Sequence, residues 1–248
     1  MPFVVLLILF AVCACWGSFL NVLAHRLIIG SSLFRRRSQC PSCTHTIAWY
    51  DLFPIFSWIF LRGLCRNCHK PISILYPVVE LLSATSLTSL AFFIPLHYFL
   101  AYFLFFSALI VTIRTDLEFM LISRVMTLYL VPAGLLLSTF GFLPLTLSES
   151  AIGSLGGYFF LYAVSRIFWF ITHKDGMGDG DLDLLALIGA FTGPMGCWTT
   201  LLIGSILGSG IGIAYLLAYK PSEPLKIPFG PFLAIGAMTH VFMLFLGY

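Results

Sequence analysis

The chain has 248 residues, of which 60% are hydrophobic and 9% charged, with a formal net charge of +3. Soluble domains carry about 25% charged residues, and a mean hydropathy of +1.01 cannot be hidden in one soluble core of this size. That excludes a water-soluble globular protein, and so small a net charge gives no reason to expect a nucleic-acid partner.

Apolar runs of about 20 residues are the signature of membrane-spanning helices. The first covers roughly 3–24. It lacks a basic n-region and a cleavage pattern leading into a soluble domain, so it reads as a retained span, not a signal peptide. A polar insertion follows at about 25–73. Further spans are expected near 74–94, 97–114, 121–141, 150–172, 182–194, 197–218 and 229–247. The fold class is therefore all-α and polytopic, with about eight transmembrane helices and a small insertion after the first.

The thirteen basic residues orient this arrangement. With the N-terminus outside, the inner segments are 25–73, 114–121, 173–182 and 219–228. The insertion holds Arg26, Arg35, Arg36, Arg37, Arg62, Arg66 and Lys70. Arg114, Lys174, Lys220 and Lys226 fall in the other inner turns, and Arg124 and Arg166 at inner span ends. None lies in an outer turn, as the positive-inside rule demands.

The insertion is too small to be stabilised by much core. It contains Cys40-x2-Cys43 and, after 21 residues, Cys65-x2-Cys68. Four thiolates from two tight turns suit a closed structural Zn2+ site, and a cytosolic location favours metal over disulfide. Disulfides or free thiols are the competing reading. His45 and His69 adjoin the pairs as substitute ligands. Cys13, Cys15 and Cys197 lie in apolar runs, where cysteine behaves as a small hydrophobe.

Acidic side chains near bilayer depth are functional candidates, and there are only ten acids in the chain. Asp116 is expected to begin the fourth span. Asp179, Asp181 and Asp183 begin the sixth, within Gly176-Met177-Gly178-Asp179-Gly180-Asp181. Both groups fall on the inner face, so one carboxylate from each can meet. Such a pair shares one proton: the ionised member activates water and the protonated one donates to a scissile carbonyl. Gly176, Gly178 and Gly180 allow a tight turn and close approach of a substrate backbone. Two blander readings compete: carboxylates that complement a helix dipole, and a calcium loop, which lacks the glycine and glutamate it needs at Leu184 and Ala190.

Further motifs run in order along the chain: Gly17-Ser18-Phe19-Leu20-Asn21-Val22 with Arg26-Leu27; the cysteine insertion with Trp49-Tyr50 and Ser57-Trp58; Tyr76-Pro77-x-Val79-Glu80; and Ile227-Pro228-Phe229-Gly230-Pro231. Together with the glycine–aspartate motif they resemble the type IV prepilin peptidases, bifunctional membrane enzymes of bacterial pilus assembly and type II secretion. The resemblance implies Asp116 and Asp181 as catalytic residues, with Asp179 a bystander. It implies prepilin or pseudopilin substrates with a short basic leader, cut after a glycine at the cytosolic face of the bacterial inner membrane. It also implies S-adenosylmethionine-dependent methylation of the new N-terminus by an N-terminal region (1–95), followed by a six-helix peptidase region (96–248). Asn21, Arg26 and Glu80 are candidates for methyl transfer, although packing or lipid-phosphate contact would account for them equally.

The sequence departs from that pattern at three places. Ser123 and Arg124 stand where Pro and then Asp or Asn are usual, Asp183 stands where Lys is usual, and Leu52 where Asn often occurs. Two rivals follow: a methyltransferase with an altered protease site, or a transporter or channel with a metal-binding regulatory insertion. The oligomeric state is not legible.

Overall fold

The computed structural model describes residues 3–30, 38–174, 176–219 and 227–247. Arg35, Arg36, Arg37, Lys220 and Lys226, used above for orientation, lie outside the described residues. Two compact units divide the chain, 1–92 and 93–248.

In the first unit, α1 (Phe3–Ile29) is an apolar helix with one buried stripe formed by Cys13, Ala14, Gly17, Leu20, Asn21 and Ala24. That spacing follows the 3.6-residue period. The insertion contributes a 3-10 turn (Trp49–Leu52) and the short α2 (Phe56–Phe60). Next comes α3 (Leu75–Phe93), whose buried positions include Val79, Glu80, Ser83 and Leu87. α1 crosses α3 at Gly17, where an added Cβ would lie 2.7 Å from Ser83 and 3.0 Å from the Glu80 Cα.

In the second unit, α4 (Leu96–Phe119) is buried almost continuously from Ala101 to Asp116. Its aromatic face packs by stacking Phe105 on Phe191 at 4.8 Å and setting Phe106 edge-on to Phe242 at 5.6 Å. A 3-10 turn (Leu128–Leu130) leads into α5 (Val131–Thr139). α6 (Leu147–Thr172) opens with a capping box between Thr146 and Glu149. α7 (Asp179–Tyr219) is 41 residues long and breaks at Gly193 (φ 70, ψ −174), immediately before Pro194. α8 (Gly230–Leu246) begins with Pro231 in its first turn.

Among the described residues, five helices are long and apolar enough to cross a membrane, and the 128–139 and 230–246 segments are shorter apolar helices. At about 1.5 Å per residue α7 is roughly twice the length a bilayer core needs. Its break at Gly193 divides it where the sequence separates the sixth and seventh spans. The architecture is that of an all-α multi-pass membrane protein, with no strand among the described residues beyond two isolated bridges.

One expectation needs correction. The fourth span is helical only from 128, not from 121, and the 120–127 stretch is irregular. Asp116 therefore lies in the last turn of α4 instead of opening the next span. The helix runs past Arg114 because nothing there breaks it and the Arg114–Glu118 pair at 2.5 Å bridges its final turn. It stops at Met120, which takes the left-handed conformation. On the later part of α7, Gly204 and Gly208 meet Phe232 and Gly212 meets Ile227, while among the described residues nothing lies within 4 Å of Gly210. The closest helix crossing is α6 on α7, where a Cβ on Gly189 would lie 2.1 Å from the Gly153 carbonyl oxygen. Ser150 and Cys197 reinforce that crossing by donating to the Ala190 and Gly153 carbonyls at 2.6 and 3.4 Å.

Candidate functional site

A cavity of about 630 Å³ opens among the end of α4, the 120–124 stretch, the 176–183 segment and the approach to α8. Asp116, Asp181 and Asp183 all line it and are all buried, whereas Asp179, also on the lining, is exposed. Asp116 and Asp181, 65 residues apart in sequence, come within electrostatic range of each other. Each is held by a different device. The backbone amide of Gly230, at the head of α8, donates to Asp116 Oδ2 at 3.0 Å. Asp181 sits in the first turn of α7, where its own amide donates to the Gly178 carbonyl at 3.1 Å.

The glycines of the 176–180 motif act mainly through the space they leave. None has a left-handed backbone. A Cβ on Gly180 would lie 2.7 Å from Ile122 Cβ, and one on Gly176 would lie 2.5 Å from the Phe168 ring. A Cβ on Gly178 would meet, among the described residues, only Asp181 Oδ2, at 3.9 Å. Gly178 is the member of the motif free to admit another backbone. Gly230 is as tightly placed: its Cβ would lie 2.7 Å from Asp116 Oδ2 and 3.2 Å from Ile122 Cδ1. Sequence reading did not single out Gly230 or Ile122. For Gly230 the signal was its place in the 227–231 motif.

The four cysteines of the insertion converge. Their sulfurs all lie within 4.8 Å of one another, with Cys40 and Cys68 at 3.8 Å. Sulfurs about 2.3 Å from a central tetrahedral zinc would be about 3.8 Å apart, so the donor set fits such an ion. Two matching knuckles build it. The Thr44 amide donates to the Cys40 carbonyl and the His69 amide to the Cys65 carbonyl, each at 2.9 Å. Thr44 and His69 are both left-handed, with φ of 55°. His45 and His69 are not in the cluster. The His45 backbone and the Asn67 side chain pull the Cys43 thiol down to about 6. The amides of Cys68 and Asn67 lower Cys65. At Cys68 the Lys70 amide pulls down, but burial and three neighbouring thiols push it up to about 11.

Of the other candidates, Asn21 and Glu80 are buried and Arg26 is half-buried. Asn21 Nδ2 donates to the Tyr76 carbonyl at 3.1 Å, pinning α1 to α3. Glu80 Oε2 accepts from the Ile55 amide at 2.7 Å. Ile55 has φ 63°, an outlier for a β-branched residue, and Glu80 holds it there.

Comparison with known proteins gives matches along most of the chain. Residues 11–94 match the bacterial peptidase A24 N-terminal domain, and residues 103–213 match the type IV leader peptidase family. A protein of Aeromonas hydrophila named prepilin leader peptidase/N-methyltransferase is 36% identical over 244 residues, covering 88% of this chain and 84% of its own. Proteins of the same name from Burkholderia pseudomallei strain 1026b (34%; 91% and 81% covered) and Pectobacterium carotovorum (30%; 92% and 89% covered) are similar as well. No solved structure gives a significant match.

Proposed function

Since the chain belongs to the type IV leader peptidase family, we propose that it is a prepilin leader peptidase/N-methyltransferase with Asp116 and Asp181 as its proteolytic pair. The observation that carries the site assignment is the convergence of these two buried carboxylates, from the end of α4 and the head of α7, on one cavity. Asp179, exposed at the first position of α7, is left outside the chemistry.

In this reading one carboxylate is ionised and one protonated. The ionised member takes a proton from water as the water oxygen attacks the carbonyl carbon. The protonated member donates to the carbonyl oxygen. The C–N bond of the tetrahedral intermediate then breaks as the amine leaves with a proton. The products are a leader ending in a carboxylate and a new N-terminus. The Gly230 amide fixes the orientation of Asp116, and Gly178 gives an extended substrate room beside Asp181. The substrate is a prepilin or pseudopilin whose basic leader precedes an apolar helix, cut after glycine. The membrane is the bacterial inner membrane, with the N-terminus outside and the cavity facing the cytosol.

The 1–95 region would then carry methyl transfer and 96–248 the peptidase. S-adenosylmethionine would supply the methyl group to the new amine, with Asn21, Arg26 and Glu80 as candidate residues. Glu80, bound to Ile55, also clasps α3 to the insertion. The metal held by Cys40, Cys43, Cys65 and Cys68 would be zinc, in a structural role, because four thiolates leave it no open position.

The test compares cleavage of a prepilin by purified, liposome-reconstituted wild type with Asp116→Asn, Asp181→Asn and Asp179→Asn. Losing a catalytic acid or base should lower kcat at least about a hundredfold, while Asp179→Asn stays near wild type. Methylation of a precut peptide should survive in all three. Normal cleavage by both Asp116→Asn and Asp181→Asn would sink the assignment.

A further inference from the structure

Ile122 and Arg124 lie on the irregular stretch between α4 and the Leu128–Leu130 turn, and both face the cavity. Ile122 is a spacer between the two aspartates' supports. Its side chain occupies the room left by Gly180, next to Asp181, and by Gly230, whose amide holds Asp116. A stretch with no helical ladder needs another anchor to keep such a spacer in place. Two residues on, Arg124 Nε lies 3.3 Å from Asp183 Oδ2 on the first turns of α7. The Arg124 side chain is 65% exposed and that of Asp183 only 6%. Among the described residues Oδ2 makes no hydrogen bond, and the ion pair is its compensation.

Arg124 and Asp183 are also the two charge departures from the resembled sequence pattern, which has Asp or Asn at the first position and Lys at the second. The departures meet in space with their signs exchanged. We propose that Arg124 and Asp183 form a positioning clasp, inverted in sign, that fixes the 120–127 stretch against the head of α7 and so sets the separation of Asp116 and Asp181. The proposal rests on the proteolytic reading of that pair.

The two ends of the clasp are unequal. Removing Arg124 leaves a buried carboxylate with no other compensating cation among the described residues, whereas removing the Asp183 charge leaves a cation that water solvates. The experiment measures prepilin cleavage by the full, zinc-loaded chain in liposomes for Arg124→Ala, Asp183→Asn and the exchanged double variant Arg124→Asp/Asp183→Lys. Since a misplacement near 1 Å costs about a hundredfold, Arg124→Ala should lower kcat about tenfold or more, with KM nearly unchanged. Asp183→Asn should lose less, and the exchanged pair should recover most of the loss. Methylation of a precut peptide reports that each variant is folded. The clasp is overturned if Arg124→Ala cuts at the wild-type rate, if the exchanged pair is no better than Arg124→Ala, or if the loss falls on KM alone. Asp116→Asn, run alongside, separates the two ideas. Its full activity would end the proteolytic assignment, while failed exchange with Asp116→Asn inactive would end only the clasp.

Discussion

Substituting Gly230 by alanine adds a single carbon at the support of one proposed catalytic carboxylate. Gly230 is not left-handed, so its backbone accepts alanine and the cost is one of space. The new Cβ would lie 2.7 Å from Asp116 Oδ2, where ordinary contact begins at 3.4 Å. Ile122 Cδ1, at 3.2 Å, blocks escape on its side. The yielding atom is a side-chain carboxylate, so the chain should fold and Asp116 should retreat. A retreat of about 0.7 Å, against about a hundredfold per 1 Å of misplacement, predicts a loss in kcat of roughly tenfold to a hundredfold. The assay is prepilin cleavage in liposomes under saturating substrate, with methylation of a precut peptide and thermal unfolding as controls. Wild-type cleavage by Gly230→Ala would refute the reasoning, because Asp116 could not then depend on its seat against α8. Parallel loss of methylation and melting temperature would refute it too, by showing that the effect is global.

Gly189→Ala should behave oppositely. Its Cβ meets backbone atoms of Gly153 at 2.1 and 2.2 Å, which cannot swing aside. Destabilisation at or above the upper end of the usual overpacking range, about 3 kcal/mol, should appear as a lower melting temperature in detergent. Gly156→Ala, with nothing among the described residues within 4 Å, is the neutral control. Glu80→Ala removes the acceptor of the part-buried Ile55 amide and should cost about 1 kcal/mol, read as faster proteolysis in the 49–60 region. Glu80→Gln, which keeps an acceptor oxygen, should cost less. Elemental analysis should find one zinc per chain, and Cys68→Ser or chelation should abolish it. The 38–72 segment should then become protease-sensitive while 93–248 stays resistant, since the metal binds only the folded knuckles.

The sequence by itself determined the features that depend on local composition. Apolar runs of bilayer length announced the membrane helices because no other solvent accepts them. The Gly193-Pro194 dipeptide marked the break in α7 because Gly193 adopts a positive φ and a following proline cannot continue the hydrogen-bond ladder. Paired C-x-x-C turns announced a four-thiol cluster fit to hold a metal, because two knuckles bring two thiols each to one tetrahedron. Rare acids in an apolar chain pointed to Asp116 and to the group Asp179, Asp181 and Asp183, and only the family resemblance singled out Asp116 and Asp181 among them.

Tertiary structure decided what depends on which helix lies against which. Whether α4 stops at 114 or carries Asp116 in its final turn depends on the buried neighbours of 101–116 and on the Arg114–Glu118 pair. The seat of Asp116 on Gly230 spans 114 residues of sequence. Arg124 and Asp183 read separately as two unfavourable departures, one cation gained and one lost, and only their 3.3 Å approach makes them a pair. The Gly153–Gly189 crossing was equally hidden. Each of those glycines is unremarkable on its own helix, and their backbones touch only because α6 and α7 pack there. Periodicity and motif spacing describe one element at a time, whereas a catalytic geometry is a relation between elements.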